Sequence, residues 1–163
     1  MKKVGIVLGS DSDLPLVRKA FDQLRALDVP FEAHICSAHR TPEEARDFAA
    51  NARDNGFGVL IGAAGMAAHL AGALAANTTL PVIGIPCSGG LLGGLDALLA
   101  TVQMPGGVPV ATVAVGGGGA VNAALLAVQI LATADPGLRE KFRAHKAALR
   151  EKVAAANAKI QSL

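Results

Sequence analysis

Five short apolar runs alternate with stretches of helical periodicity, and most of the runs end in small or polar residues. Val4–Leu8 gives way to Gly9-Ser10-Asp11-Ser12-Asp13. A segment Leu14–Leu27 follows, in which Leu14, Val17, Phe21, Leu24 and Leu27 recur at helical spacing. Phe31–Cys36 leads through Ser37–Thr41 into a second helix, with Thr41 at its N-cap and Pro42 at its first position. Glu43 and Glu44 stand in the first turn, where the helix dipole favours them, and the helix is expected to run to about Asn55. Further strands are expected at Val59–Ile61, Pro81–Ile85 and Val108–Val113. Helices are expected over about Ala67–Ala76, Leu91–Thr101 and Ala120–Thr133, and Asp135-Pro136 opens a last one to about Lys159. This alternation predicts an α/β fold, a parallel five-stranded sheet with helices on both faces and an extra C-terminal helix. The strands are short and apolar throughout, as strands buried on both sides must be.

At 163 residues the chain is expected to form one domain, 1–163. It is 52% hydrophobic and only 17% charged, where about 25% is usual, which excludes disorder. Its bulk comes from 33 Ala and 19 Gly, with no Trp or Tyr, so its elements pack closely. Single-stranded nucleic acid would find no stacking platforms, and a net charge of +2 does not suit a duplex. From Asn55 to Ala134 the only formal charge is Asp96. Gly or Pro interrupts every apolar run there, so no span of about 20 apolar residues is available to a membrane. Contact with copies of the same chain is the expected use of so uncharged a surface.

Residues 135–163 carry +4 against −2 for the remainder. Two readings of this last helix stand side by side: a solvated amphipathic tail, or an arm packed on a neighbouring subunit. Met1-Lys2-Lys3 precedes only a short apolar run before Ser10, so no signal peptide is expected, and a cytoplasmic location is. Cys36 and Cys87 make no disulfide framework and no metal-ligand spacing, and are read as small core residues.

In an open parallel sheet, ligands bind beyond the carboxyl ends of the strands. Those ends carry three unusual loops. In Gly9–Asp13, backbone N–H groups and Ser10 suit a phosphate and Asp13 suits ribose hydroxyls; an N-cap at Ser12 or Asp13 would be the plainer use. The loop matches neither a P-loop nor a dinucleotide fingerprint. Ser37-Ala38-His39-Arg40 leads from an apolar strand into a hydroxyl, an imidazole and a guanidinium. Arg40 offers a planar fork for phosphate, and His39 a group able to move protons near neutral pH. Gly62–Met66 is a small-residue loop followed by His69, expected one turn into its helix, either in the site or in the core against a carbonyl. His34 and His145 are read as structural or solvated. Serine-hydrolase and metal-hydrolase motifs are absent.

Taken together, these segments resemble the N5-carboxyaminoimidazole ribonucleotide mutase family of bacterial purine biosynthesis. The likeness rests on GSDSD at 9–13, SAHRTP at 37–42, AAHLAG at 67–72 and PVIGIP at 81–86. It continues through GLDALLATVQMPGGVPVATV at 94–113 and NAALLAVQIL at 122–131. The resemblance implies a flavodoxin-like three-layer α/β/α sandwich, a homo-octamer, and transfer of a carboxylate from N5 to C4 of an aminoimidazole ribonucleotide with no cofactor or metal. It makes Ser10, Asp13, Ser37 and Arg40 substrate-binding residues, His39 the catalytic acid/base and His69 the second active-site histidine. The chain departs from the family at Met66, where a small residue is usual, and at Ala71, where proline is. A sister branch that uses CO2 directly carries Lys in place of Arg40, which favours the mutase. A carboxylase of another ribonucleotide and a non-catalytic nucleotide-binding module are the competing readings.

Overall fold

The computed structural model describes residues 1–162. Five strands, β1 (Lys3–Leu8), β2 (Phe31–Ile35), β3 (Phe57–Ala64), β4 (Val82–Pro86) and β5 (Ala111–Thr112), form one parallel sheet in the order β2-β1-β3-β4-β5. Six helices accompany it: α1 (Leu14–Ala26), α2 (Pro42–Asn51), α3 (Leu70–Ala76), α4 (Leu95–Val102), α5 (Gly117–Ala132) and α6 (Pro136–Gln161). Alternation along each strand divides the core in two. Val4, Ile6, Leu8, Val59, Ile61, Ile83 and Ile85 pack against α1 and α5. Val7 and Leu60 point the other way, onto α2 and α3. The result is the expected three-layer α/β/α sandwich.

Small residues set the spacing of these layers. A Cβ on Gly62 would stand 3.0 Å from the Ala71 Cα, and one on Gly84 would stand 2.4 Å from a Thr101 methyl, so α3 and α4 lie directly on the strand backbones. Close packing of this kind is what an Ala-rich, aromatic-poor chain has available.

Several boundaries differ from the sequence reading. The fifth strand shrinks to two residues, because Pro109 has no N–H to give a ladder and the strand lies at the sheet edge. β3 continues through Gly62 and Ala63, which pair with both neighbours, to Ala64, which pairs with Pro86 of β4. α2 stops at Asn51, and turns lead to Gly56 at φ +85°. The helix expected from Leu91 is a 3-10 turn, Leu91–Gly93, followed by α4. α5 begins inside the glycine run, where a Cβ on Gly119 would meet the Ala114 carbonyl at 1.6 Å. Asp135 caps α6 by accepting from Leu138 N–H at 2.9 Å. Only Leu138 of α6 is buried, and every residue from Lys146 to Ser162 is exposed. No described helix is long and apolar enough to cross a membrane.

Candidate functional site

Strand register brings the chemistry together. Leu8 is level with Ile35 on one side and Ala63 on the other, and Ala64 is level with Pro86. Four strands therefore end on one line, and backbone bonds tie the chains leaving them: Cys36 N–H to Leu8 O at 3.0 Å, Gly9 N–H to Ala63 O at 2.9 Å, and Cys87 N–H to Ala64 O at 2.9 Å. Beyond that line lies a cleft of about 610 Å³. It is lined by the loops at 9–13, 37–40, 64–70 and 87–90. All six residues singled out in the sequence, Ser10, Asp13, Ser37, His39, Arg40 and His69, border it.

The loop after β2 is a built turn. Ser37 Oγ accepts from the backbone N–H of His39 at 3.3 Å and of Arg40 at 3.1 Å. Thr41 Oγ1 in turn accepts from Ser37 N–H at 2.9 Å. Thr41 does occupy the N-cap position of α2, but its hydroxyl serves the loop and makes no cap bond. Ser37 thus orients the two residues that follow it. The Arg40 guanidinium reaches back to donate to Gly9 O at 3.1 Å, which joins the first and second loops.

His69 is not one turn into a helix. It stands at the N-cap of α3, after two tight turns in which Ala68 N–H bonds Met66 O and His69 N–H bonds Ala67 O, each at 2.9 Å. This placement exposes the ring, removes the core-histidine reading, and sets His69 Nδ1 2.8 Å from His39 Nε2. The rings meet edge to face, with centroids 5.0 Å apart. One ring must donate and the other accept, so the pair holds a proton between two nitrogens. Met66 adopts φ +54°, in the left-handed region that favours glycine, and its side chain stands 69% exposed at the cleft.

In the first loop Ser10 caps the 3-10 turn Asp11–Asp13, accepting from Ser12 N–H at 3.3 Å. Neither Ser12 nor Asp13 serves as the side-chain cap. The Asp13 carboxyl faces the cleft, where burial pushes it above its ordinary value and a hydrogen bond with Cys87 opposes that shift. The Cys87 thiol is itself pushed up to about 12, first by burial and then by the Asp13 charge. Sequence reasoning placed Cys87 in the core, where it is, but missed that it also floors the cleft beneath Asp13. Among the described residues, no three His, Cys, Asp or Glu side chains are grouped as a metal site requires.

The family model described as AIR carboxylase matches residues 3–152. The chain belongs to this family. Among curated relatives, the N5-carboxyaminoimidazole ribonucleotide mutase of Mycobacterium tuberculosis is 50% identical over 161 residues, covering 99% of this chain and 91% of its own. The mutase of Bacillus subtilis is 53% identical over 139 residues, covering 85% and 86%. That of Thermotoga maritima is 46% identical over 153 residues, covering 94% and 88%. The crystal structure of Treponema denticola PurE superposes with a TM-score of 0.87 at 24% identity, covering 96% of both chains, and so shares the fold.

Proposed function

We infer that this AIR carboxylase family member is an N5-carboxyaminoimidazole ribonucleotide mutase of de novo purine biosynthesis. It converts N5-carboxyaminoimidazole ribonucleotide to the 4-carboxy isomer. The observation that carries the mechanism is the 2.8 Å contact between His39 and His69 in a cleft flanked by Arg40 and Asp13.

The reaction exchanges one proton for another. When the N5–carboxylate bond breaks, the ring nitrogen substituent takes up a proton and CO2 is released. When C4 attacks that CO2 and a new C–C bond forms, C4 gives up its proton, so the sum is zero. A histidine pair that already shares a proton suits this cycle, with His39 as the acid and base and His69 as its partner. Arg40, Ser10 and the N–H groups of the first loop hold the 5′-phosphate, and Asp13 accepts from the ribose. Ser37 contributes through the turn that aims His39 and Arg40. Fixing the nucleotide at both ends keeps C4 beside the freed CO2, and the small-residue loops leave little room for it to leave. The reading calls for no cofactor or metal.

Residues 1–163 act in this reading as one domain working as a homo-oligomer, an octamer by the family resemblance, in the cytoplasm. Support for assembly lies in the exposed Leu91, Leu92, Leu95, Leu99 and Val102 on the 3-10 turn and α4, and in Val153 and Ile160 on α6. The stretch of α6 from Lys146 onward packs on a neighbouring subunit.

The test is conversion of N5-carboxyaminoimidazole ribonucleotide, followed by NMR without added bicarbonate. Formation of the 4-carboxy product identifies the mutase. Product that appears only with bicarbonate and aminoimidazole ribonucleotide would make the protein a carboxylase instead.

A further inference from the structure

Asp96 is the only formal charge between Asn55 and Ala134, and the mechanism above does not use it. It stands in the first turn of α4, where an acidic residue is favourable, and Oδ1 accepts from the N–H of Ala97 at 2.8 Å. The dipole does not account for its other oxygen. Oδ2 reaches five residues back and accepts from Leu91 N–H at 3.0 Å.

Between β4 and α4 the backbone is unusual. Gly89, Gly90, Leu92, Gly93 and Gly94 have φ of +121°, +60°, +49°, +70° and +111°. Residues 88–93 are exposed, and their order rests on few bonds. Gly94 N–H closes a turn onto Leu91 O at 3.1 Å, and the Asp96 carboxylate holds the segment from outside. Glycine-rich backbone has the most conformational freedom to lose, so such a tie matters more here than in a helix. Gly90 and Asp96 also fit one another, since a Cβ at Gly90 would fall 2.6 Å from Oδ2.

This segment reaches the chemistry. Ser88, Gly89 and Gly90 line the cleft, and by sheet order they lie on the flank away from the β2 loop that carries His39 and Arg40. The glycines present bare backbone, so that wall is only as well defined as its φ and ψ angles. A nucleotide has phosphate and hydroxyls by which other loops can hold it. CO2 has no charge and is retained by confinement alone.

We propose that Asp96 is a positioning residue for carboxylate transfer: its bond to Leu91 N–H fixes the 88–93 loop as the wall that keeps freed CO2 beside C4. The proposal rests on the mutase reading. It separates two events that the intact protein couples, loss of CO2 from nitrogen and its capture by carbon. A loosened wall leaves the first intact and impairs the second.

The experiment uses substrate labelled with 13C at the N-carboxylate, in excess unlabelled bicarbonate, corrected for the rate without enzyme. The parent is expected to carry the label into the 4-carboxy product. In Asp96→Asn, whose amide oxygen can keep one of the two bonds, the ratio of decarboxylated ribonucleotide and unlabelled product to labelled product should rise about fivefold, the change one hydrogen bond makes in an equilibrium. Asp96→Ala should leak more, and Gly90→Ala, which disturbs the same contact from the loop side, should leak as well. KM should move little in all three. Failure of the parent to convert substrate would reject the mutase reading. A parent that converts, with folded Asp96→Asn and Gly90→Ala variants that keep its label retention, would overturn the positioning role and leave Asp96 a structural residue.

Discussion

His39 Nε2 and His69 Nδ1 lie 2.8 Å apart, although 30 residues separate them in the chain. Each ring comes from the end of a different strand, and neither has a carboxylate among its hydrogen-bond partners in the described structure. Replacing His39 by Asn or Ala removes the acid and base that we propose for the reaction. Turnover should fall by at least about 10²-fold, the scale on which a positioned acid–base group contributes. Nucleotide affinity and the unfolding midpoint should change little, because the ring is exposed. Steady-state kinetics beside calorimetric binding would check this, and near-normal turnover in either variant would remove His39 from the mechanism.

Arg40 links the first two loops through Gly9 O and is otherwise exposed to the cleft. If its guanidinium holds the 5′-phosphate, the charge-assisted contact is worth about 1.5–3 kcal/mol. Arg40→Ala should weaken binding of aminoimidazole ribonucleotide at least about tenfold, and binding of the dephosphorylated nucleoside much less. Equal losses for the two ligands would show that Arg40 acts only as a staple between loops.

Asp13 sets a pH dependence. Its folded carboxyl is raised above the ordinary 3.8, mainly by burial, so the folded chain holds this proton more tightly than the unfolded one. Below the ordinary range both states are protonated and burial carries no charge penalty. As pH rises through the raised value, the folded state must ionise a buried group and loses stability relative to the unfolded chain. Asp13→Asn removes that penalty. Denaturant unfolding of the variant and parent should converge at acid pH and diverge toward neutrality, with the variant the more stable and the weaker in substrate binding. Curves that stay parallel across that range would contradict the assignment.

Met66 holds a left-handed backbone that costs a residue with a Cβ about 1–2 kcal/mol. Met66→Gly relieves this, against the greater freedom of glycine in the unfolded chain, for a net gain of up to ~1 kcal/mol. Differential scanning calorimetry should show a Tm higher by a few degrees. A lower Tm would mean that contacts of the methionine side chain outweigh the strain.

Assembly is measurable directly. Leu92 is 76% exposed and Val153 70% exposed, with further apolar side chains beside each. Monomers rarely expose more than a few hundred Å² of contiguous apolar surface. Light scattering at micromolar concentration should give a single oligomeric mass, and removal of residues 146–163 should lower it. A monodisperse species near the 16.4 kDa chain mass, fully active, would defeat the assembly reading.

The strand and helix alternation, and the Ser and Gly residues at strand ends, are local chemistry. For that reason the layer architecture, the loops at 9–13 and 37–41 and the candidacy of Arg40 and Asp13 were legible in the residues themselves. Periodicity reports which face of an element is buried and nothing of which strand lies beside which. The order β2-β1-β3-β4-β5 decided that His39 would meet His69, that Cys87 would sit under Asp13, and that the loop Asp96 holds would border the cleft. The start of α3 was hidden for a related reason: Ala67 and Ala68 are good helix formers, yet the turns after Met66 hold them out of the helix and leave His69 at its mouth. The contacts that the strand order decides join residues far apart in the chain, and their energy depends on packing that no window of sequence contains; the turns before His69 are short, but helix propensity alone points the other way.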